Sequence, residues 1–332
     1  MEALVLAAGK GTRMRGLCDR FAKPMLPLAN IPVLEHILDA FALADITRAH
    51  VVVGHCADQI REHFARYPHR LALRFIDQPN PTGTGSAALL GKAVVGDEPF
   101  LLAFGDIIVS RANYAELVKD FRAGKWDAML TTRKVPDPCH GAAVYVEGQR
   151  VVRLVEKPKP GTSTTDLDNA GLFILPPAIF TLLEQLKPSP RGEFELTDAV
   201  SAMIAKNMTV GAHNIEGFWC NLTDPEAFIA ANEAVLAEVG PERHAAVSGT
   251  IREPVAVGRS CSIGRCALGP GVSIGDGCIV EDGCALSHAI LMPRAHLGAG
   301  AHVEYAILAP DTTISPAAHL VGRPGNVLVN PR

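Results

Sequence analysis

The stretch VLAAGKGTRM, residues 5–14, decides how this chain is read. An apolar run from Ala3 to Ala8 stops abruptly at Gly9-Lys10-Gly11-Thr12-Arg13. A short apolar run bounded by glycine fits a buried strand. The loop after it can bring its backbone close to a phosphate, and Arg13 offers a bidentate fork. Neither common phosphate fingerprint fits. The Walker pattern needs glycine five residues before Gly-Lys, where Leu4 stands. The dinucleotide pattern needs glycine at position 14, which is Met14.

Working outward, short apolar runs alternate with amphipathic segments as far as about Gly240. ALVLAA (3–8), AHVVVG (49–54), LALRFI (71–76) and FLLAFG (100–105) read as strands bounded by turn signals. In PVLEHILDAFALA (32–44), Val33, Leu34, Ile37, Leu38 and Phe41 share one helical face, and Pro32 suits a first turn. YAELVKDFRAG (114–124) is a second helix ended by glycine. DPEAFIAANEAVLAEVG (224–240) is the last, with Asp224 as cap and Gly240 as stop. This alternation predicts an α/β domain, a doubly wound and mostly parallel sheet with helices on both faces.

The texture changes after about Ala245. Val257, Ile263, Leu268, Ile274, Val280, Leu286, Leu297, Val303, Ile314 and Leu320 recur at steps of six or near multiples, several followed by glycine. That spacing predicts a short parallel β-helix in which each aliphatic residue stacks on the next coil. An antiparallel sandwich would need alternation within longer strands and hairpin turns. The expected domains are residues 1–242 and 243–332. A coil buries little by itself, so the solenoid must lean on the first domain or on another chain.

The 31 basic and 35 acidic residues leave a net charge of −4, which gives no sign of nucleic acid or an anionic membrane as partner. No apolar run reaches the roughly 18 residues of a membrane span, and no signal peptide is visible. The eight cysteines are scattered without a C-x-x-C pair, as expected of reduced thiols in the cytoplasm.

In a doubly wound sheet, ligands bind beyond the carboxyl ends of the strands. The charged and polar residues expected there are Arg13, Lys23, Asp106, Glu156, Lys157, Asn169 and Asn221. Each has an ordinary alternative as a turn residue, a solvated lysine or a weak surface ion pair. Together they supply phosphate donors, oxygen ligands for a hard cation and polar groups for a sugar. That set suits magnesium-assisted phosphoryl or nucleotidyl transfer.

The residues also resemble a known family, the sugar-1-phosphate nucleotidyltransferases or NDP-sugar pyrophosphorylases. LAAGKGTRM (6–14) and KPMLPLANIPVLEHIL (23–38) are similar to its signature. QPNPTGTGSA (78–87), GD (105–106), EKP (156–158), NAGLFIL (169–175), ELTDA (195–199) and DPEAF (224–228) follow in family order. Many members carry a left-handed β-helix after a Rossmann-like transferase domain, so the resemblance covers nearly the whole chain. It implies that a sugar 1-phosphate attacks the α-phosphorus of a nucleoside triphosphate with Mg²⁺ present, and that pyrophosphate leaves. It further implies that Leu6, Ala8, Gly9, Gly11 and Thr12 lie against the nucleotide. Arg13 neutralises the triphosphate, Lys23 bridges the reacting phosphates and Asp106 holds the metal. Gly141, Glu156 and Asn169 face the sugar, and Lys157 faces its phosphate.

One position departs from the commonest pattern. Many members end in W-x-D-x-G-T-P, whose Asp is the second metal ligand, whereas this chain reads WCNLTDP (219–225) and places Asn221 there. An amide oxygen can still ligate a hard cation. The spacing of Gln78, Gly83 and Thr84 resembles branches that use UTP or dTTP, with glucose 1-phosphate or N-acetylglucosamine 1-phosphate as leading acceptors. A homo-oligomer is expected. Two other readings are a non-catalytic nucleotide-sugar sensor and an added acyltransferase in the β-helix, for which His288, His302 and His319 are available.

Overall fold

A computed structural model describes residues 1–330; residues 331 and 332, at the end of the expected second domain, lie outside the described residues. The chain forms two compact units. Met1–Gly9 joins His36–Trp219 in the first, and Lys10–Glu35 joins the chain from Cys220 onward in the second.

The first unit is built on a nine-stranded sheet. Its strands are β1 (Ala3–Ala7), β2 (Arg48–Val53), β3 (Ala72–Asp77), β4 (Phe100–Phe104), β5 (Ala128–Lys134), β6 (Ala142–Glu147), β7 (Arg150–Glu156), β8 (Leu167–Leu175) and β9 (Val210–Asn214). Their order in space is β3-β2-β1-β4-β8-β5-β9-β7-β6. The signature strand β1 is central to a parallel run, with Val5 opposite Val51 on one side and Ala103 on the other. The expectation of a mostly parallel sheet holds fully in that half; in the other half only β9 and β5 pair parallel, with Val210 opposite Ala128. β8 runs antiparallel to both β4 and β5, and β6 and β7 form an antiparallel hairpin. The hairpin has a physical cause: Glu147 faces Arg150 across Gly148, whose φ of 61° makes a tight turn, and so short a link cannot carry a parallel crossover.

Two of the expected helices form here where their apolar faces predict, α1 (Val33–Leu43) and, two residues earlier than expected, α4 (Ala112–Ala123); four that were not expected join them, α2 (Ala57–Arg66), α3 (Thr84–Leu89), α5 (Ile179–Leu183) and α6 (Leu196–Ala205). Phe41 of α1 meets Tyr114 of α4 edge-on at 5.6 Å, and Phe180 of α5 stacks on Phe100 of β4 at 5.4 Å. Such aromatic pairs add about 0.5–1.5 kcal/mol beyond their burial. Phe100, Leu101, Leu102 and Ala103 are all buried, so both faces of β4 are covered.

In the second unit, α7 (Pro225–Val239) begins at Asp224, whose carboxylate accepts from the Ala227 N–H at 2.9 Å. Fully buried Asn232 on α7 ties together two distant segments of this unit. Its Oδ1 accepts from the Ala29 N–H at 2.9 Å and from the Ser273 hydroxyl at 2.8 Å. Ala29 and Asn30, both at positive φ, close a small hairpin between Pro27–Leu28 and Ile31–Pro32.

Beyond Ser248 the chain winds in parallel coils. Val255 pairs with Val272 and Val272 with Ala289, a step of 17 residues (272 − 255), close to three hexads. Two further ladders follow the same rule, Ser262–Ile279–His296–Thr313 and Ala285–His302–His319. Val257, Ile274, Leu291 and Leu308 stack inward, as do Leu268, Leu286 and Val303. The solenoid also leans on α7, where Glu233 meets the His288 ring at 2.5 Å.

Candidate active site

The expected site residues fall into both units, and each half has its own scaffold. In the first unit, Leu6 lies opposite Val52 and Phe104, β1 ends one residue later at Ala7, and buried Ala8 and exposed Gly9 follow. Gly105 donates its N–H to the Leu6 carbonyl at 2.9 Å. That bond brings the end of β4 level with the end of β1. Asp106 stands half-buried in the turn that leads to the short strand Ile107–Val109.

The expected base-reading segment is held by the loop that precedes α6. Gln78 is buried at the end of β3, and its amide donates to the Ser86 hydroxyl at 3.3 Å. The Leu196 N–H donates to the Thr84 hydroxyl at 3.0 Å, and the Phe194 N–H donates to the Thr82 carbonyl at 2.9 Å. Gly83 has a φ of 124°, and a Cβ there would stand 2.7 Å from the Phe194 nitrogen and closer still to its carbonyl oxygen. Only glycine fits.

Glu156, Lys157, Gly141 and Asn169 are gathered at one end of the sheet. The Thr197 hydroxyl donates to Glu156 at 3.0 Å, and Arg191 lies among Glu156, Glu193 and Glu195. Burial pushes the Glu156 carboxyl above its ordinary range; Thr197 opposes the shift and Glu195 adds to it. The Lys157 N–H donates to the Gly141 carbonyl at 2.8 Å. The Asn169 side-chain oxygen accepts from the Gly171 N–H at 3.1 Å, where β8 changes register against β5. Asp168, Arg133 and Arg191 do not stand out in the sequence, and Trp219 does so only as the first residue of WCNLTDP. The available signal was position: Asp168 directly precedes NAGLFIL, and Arg191 directly precedes GEFELTDA.

In the second unit, the rest of the glycine-rich loop folds back on itself. The Met14 N–H donates to the Gly11 carbonyl at 3.0 Å and the Leu17 N–H to the Met14 carbonyl at 3.1 Å. Thr12 and Arg13 remain exposed, while Met14 is fully buried and anchors the turn. Lys23 is buried, in a short 3₁₀ turn, Lys23–Met25. Arg15 donates to the Val327 carbonyl at 2.8 Å and to Glu226 at 2.9 Å. The loop is thereby tied to α7 and to the last coil. The Asn221 Oδ1 is buried and has no hydrogen-bond partner among the described residues. A buried acceptor without a partner costs about 1–3 kcal/mol, and a hard cation would satisfy it.

The histidines of the solenoid lie on its outer surface. His288 stacks on Tyr305 at 4.4 Å, and the rings of His302 and His319 meet edge-on at 5.6 Å. His288 and His302 line a cleft of about 510 Å³ with Arg252, Ser287 and Glu304. Among the described residues no helix is long and apolar enough to cross a membrane, and no three His, Cys, Asp or Glu side chains cluster as a metal site.

Known proteins share this layout. Among solved structures, a UDP-glucose pyrophosphorylase complexed with UDP-glucose matches with a TM-score of 0.66 at 22% identity, over 71% of this chain and 99% of that one. At that identity the match attests to the fold. Residues 2–238 match the family profile described as nucleotidyl transferase, and residues 251–328 match that of the GMPPB C-terminal domain. The chain is 30% identical to glucose-1-phosphate thymidylyltransferase of Streptomyces antibioticus, across 97% of its own length and 85% of the relative's. It is 32% identical to the low-salt glycan biosynthesis nucleotidyltransferase Agl11 of Haloferax volcanii, across 75% and 70%. It is also 32% identical to the bifunctional protein GlmU of Methanocaldococcus jannaschii, but spans only 59% of that relative. The glycine-rich loop after a central parallel strand, the residues gathered at the sheet end and these matches agree: the chain belongs to the nucleotidyl transferase family, among its sugar-1-phosphate nucleotidyltransferases.

Proposed function

We propose that this enzyme transfers a nucleotidyl group from UTP or dTTP to glucose 1-phosphate or N-acetylglucosamine 1-phosphate, with Mg²⁺, forming an NDP-sugar and pyrophosphate. The observation that carries the pyrimidine reading is Gln78. A buried amide at a strand end, steadied by Ser86, can donate to and accept from the O4/N3 edge of uracil or thymine. A relative named for thymidylyl transfer to glucose 1-phosphate supports the same choice.

The sugar-phosphate oxygen attacks the α-phosphorus, and the bond to the pyrophosphate oxygen breaks. The attacking sugar-phosphate oxygen is already ionised, and the departing pyrophosphate takes the electron pair of the broken bond, so no side chain has to act as nucleophile or base. The work of the protein is to hold two anions together in line. Leu6, Ala8, Gly9, Gly11 and Thr12 are assigned to the nucleotide, with Gly83 and Thr84 beside Gln78. Arg13 neutralises the triphosphate and the departing pyrophosphate, and Lys23 the reacting phosphates. Gly141, Glu156 and Asn169 take the sugar, and Lys157 its phosphate. Asp106 and the unpartnered Asn221 oxygen are assigned as metal ligands. Bound Mg²⁺ would offset the repulsion between the reactants and polarise the α-phosphate.

We also take residues 1–242 as the transferase domain and those from 243 on as a short left-handed β-helix supporting a homo-oligomer. All eight cysteines are free, which supports a cytoplasmic enzyme. Pyrophosphate release across UTP, dTTP, CTP, ATP and GTP, each with a panel of sugar 1-phosphates, tests the reading. Release that needs a pyrimidine triphosphate together with one sugar phosphate is expected. Release with purines alone would overturn the base assignment. No release with any pair would favour a non-catalytic sensor.

A further inference from the structure

Asp168 sits in β8 with almost no exposure, and its carboxylate is the hub of a small network. Oδ1 accepts the Ala142 N–H at 2.8 Å, and Oδ2 accepts Arg133 Nη2 at 2.8 Å. The carboxylate occupies the space that a side chain at position 141 would need: a Cβ on Gly141 would stand 2.6 Å from the Asp168 Cγ. The Gly141 carbonyl in turn accepts the Lys157 N–H at 2.8 Å and holds Lys157 at a φ of 40°, unusual for a residue with a side chain. On the other side, the Arg133 guanidinium lies 3.5 Å over the Trp219 ring. The Trp219 Nε1–H donates to the Ala170 carbonyl at 2.9 Å, one residue beyond Asn169. The contacts thus return to the strand they started from.

We propose that Asp168 is a positioning residue for the sugar 1-phosphate: clamped by Arg133, its carboxylate sets the places of Gly141, Lys157 and Asn169. This rests on the reading above that those residues meet the sugar 1-phosphate. Asp168 is buried and Arg133 half-buried, and neither a buried nor an exposed ion pair adds much net stability, so stability alone does not account for one here. What the pair fixes is geometry. Burial pushes the Asp168 carboxyl up, while Arg133 and the backbone N–H groups of Ala142 and Asn169 oppose that shift.

The test uses the full-length enzyme with Asp168→Asn, Asp168→Ala and Arg133→Lys, the last keeping the charge and losing the planar stack. Asp168→Ala is expected to raise KM for the sugar 1-phosphate roughly 10- to 100-fold, as small misplacements at a binding site do. KM for the nucleotide should change less than about twofold. Asp168→Asn and Arg133→Lys should fall between wild type and Asp168→Ala, and they carry the test if Asp168→Ala does not fold. Equal changes in both KM values, or none, would overturn the proposal. Amide hydrogen exchange supplies an arm that needs no turnover: the Ala142 and Lys157 amides should lose protection selectively in Asp168→Asn. Unchanged protection there overturns the brace even if the enzyme is active. If wild type turns over no substrate pair, the functional reading fails, while the exchange result still decides the brace.

Discussion

The two units hold their functional segments in opposite ways. At the sheet end of the first unit, the braces come from adjoining strands: Asp168 reaches Ala142 across 26 residues and Arg133 across 35. In the second unit, the glycine-rich loop is tied to the far end of the chain, with Arg15 bonded to Val327 across 312 residues. A sheet brings distant strands into register by its own hydrogen bonds, so a side chain need only span one strand spacing. A loop has no such ladder, and its shape is set by whatever packs on it. The residues at the sheet end should therefore resist changes elsewhere in the chain, and the loop should feel them.

Breaking the first unit's scaffold should give the largest effect. Gly83→Ala forces a Cβ onto the Phe194 backbone at a φ of 124°, and no rotamer change relieves it. The strain alone is worth about 1–3 kcal/mol, measured as a fall in the urea midpoint, and KM for the triphosphate should rise with it. A midpoint equal to wild type would mean that the 188–196 loop does not hold the 82–85 segment.

The α7 cap gives the next effect. Asp224→Ala should cost about 1 kcal/mol, as N-cap losses do. Burial pushes the Asp224 carboxyl up, but Ala227 N–H, Thr223, Arg13 and Arg15 outweigh it and hold it below the ordinary 3.8. A depressed folded-state value means that this contribution is present above pH 3.8 and is lost as pH falls through the folded value. The gap in stability between wild type and variant should therefore close in acid. A gap that stays constant down to pH 3 would remove the charge from the account.

The long-range tie is smaller in energy and sharper in consequence. Arg15→Ala should lower stability by less than about 1 kcal/mol, because its pair with Glu226 is partly exposed. Its effect should appear instead as a raised KM for the triphosphate, with KM for the sugar phosphate unchanged. A rise in the second value would erase the contrast between the units.

The pH profile sharpens the other side. On the proposed assignment, Glu156 accepts sugar hydroxyls most strongly when ionised, and its folded-state value is raised by burial. The acid limb of kcat/KM for the sugar phosphate should lie above 4.5, and Arg191→Gln should move it higher still by removing a stabilising cation. The least perturbation is expected in the solenoid. Burial pushes Cys278 up to about 12 and Cys266 up to about 11, so both thiols should resist alkylation until the protein unfolds.

The sequence made the elements legible where one physical rule dominates. The β1 and β4 runs are apolar because both faces of each strand are covered, and α1 shows its buried face in Val33, Leu34, Ile37, Leu38 and Phe41. The solenoid shows itself because one inward residue per face must repeat at each coil. The direction of β8 was not legible, since hydropathy is the same for a strand run either way. Asp168 and Asn232 were missed for a related reason: a buried polar residue looks like a surface one until its partners are known. Asn221 was legible only as a departure from a pattern, and its unpartnered oxygen gives that departure a physical sense.

The most direct test of the account is pyrophosphate release by wild type and by Arg13→Ala, assayed with UTP or dTTP and the preferred sugar 1-phosphate. A fall in kcat/KM of about 100-fold or more is expected, the scale for removing one group that stabilises charge in a transition state. Pyrophosphate release by Arg13→Ala at the wild-type rate would contradict it, because the loop that ends the first strand would then not be holding the triphosphate.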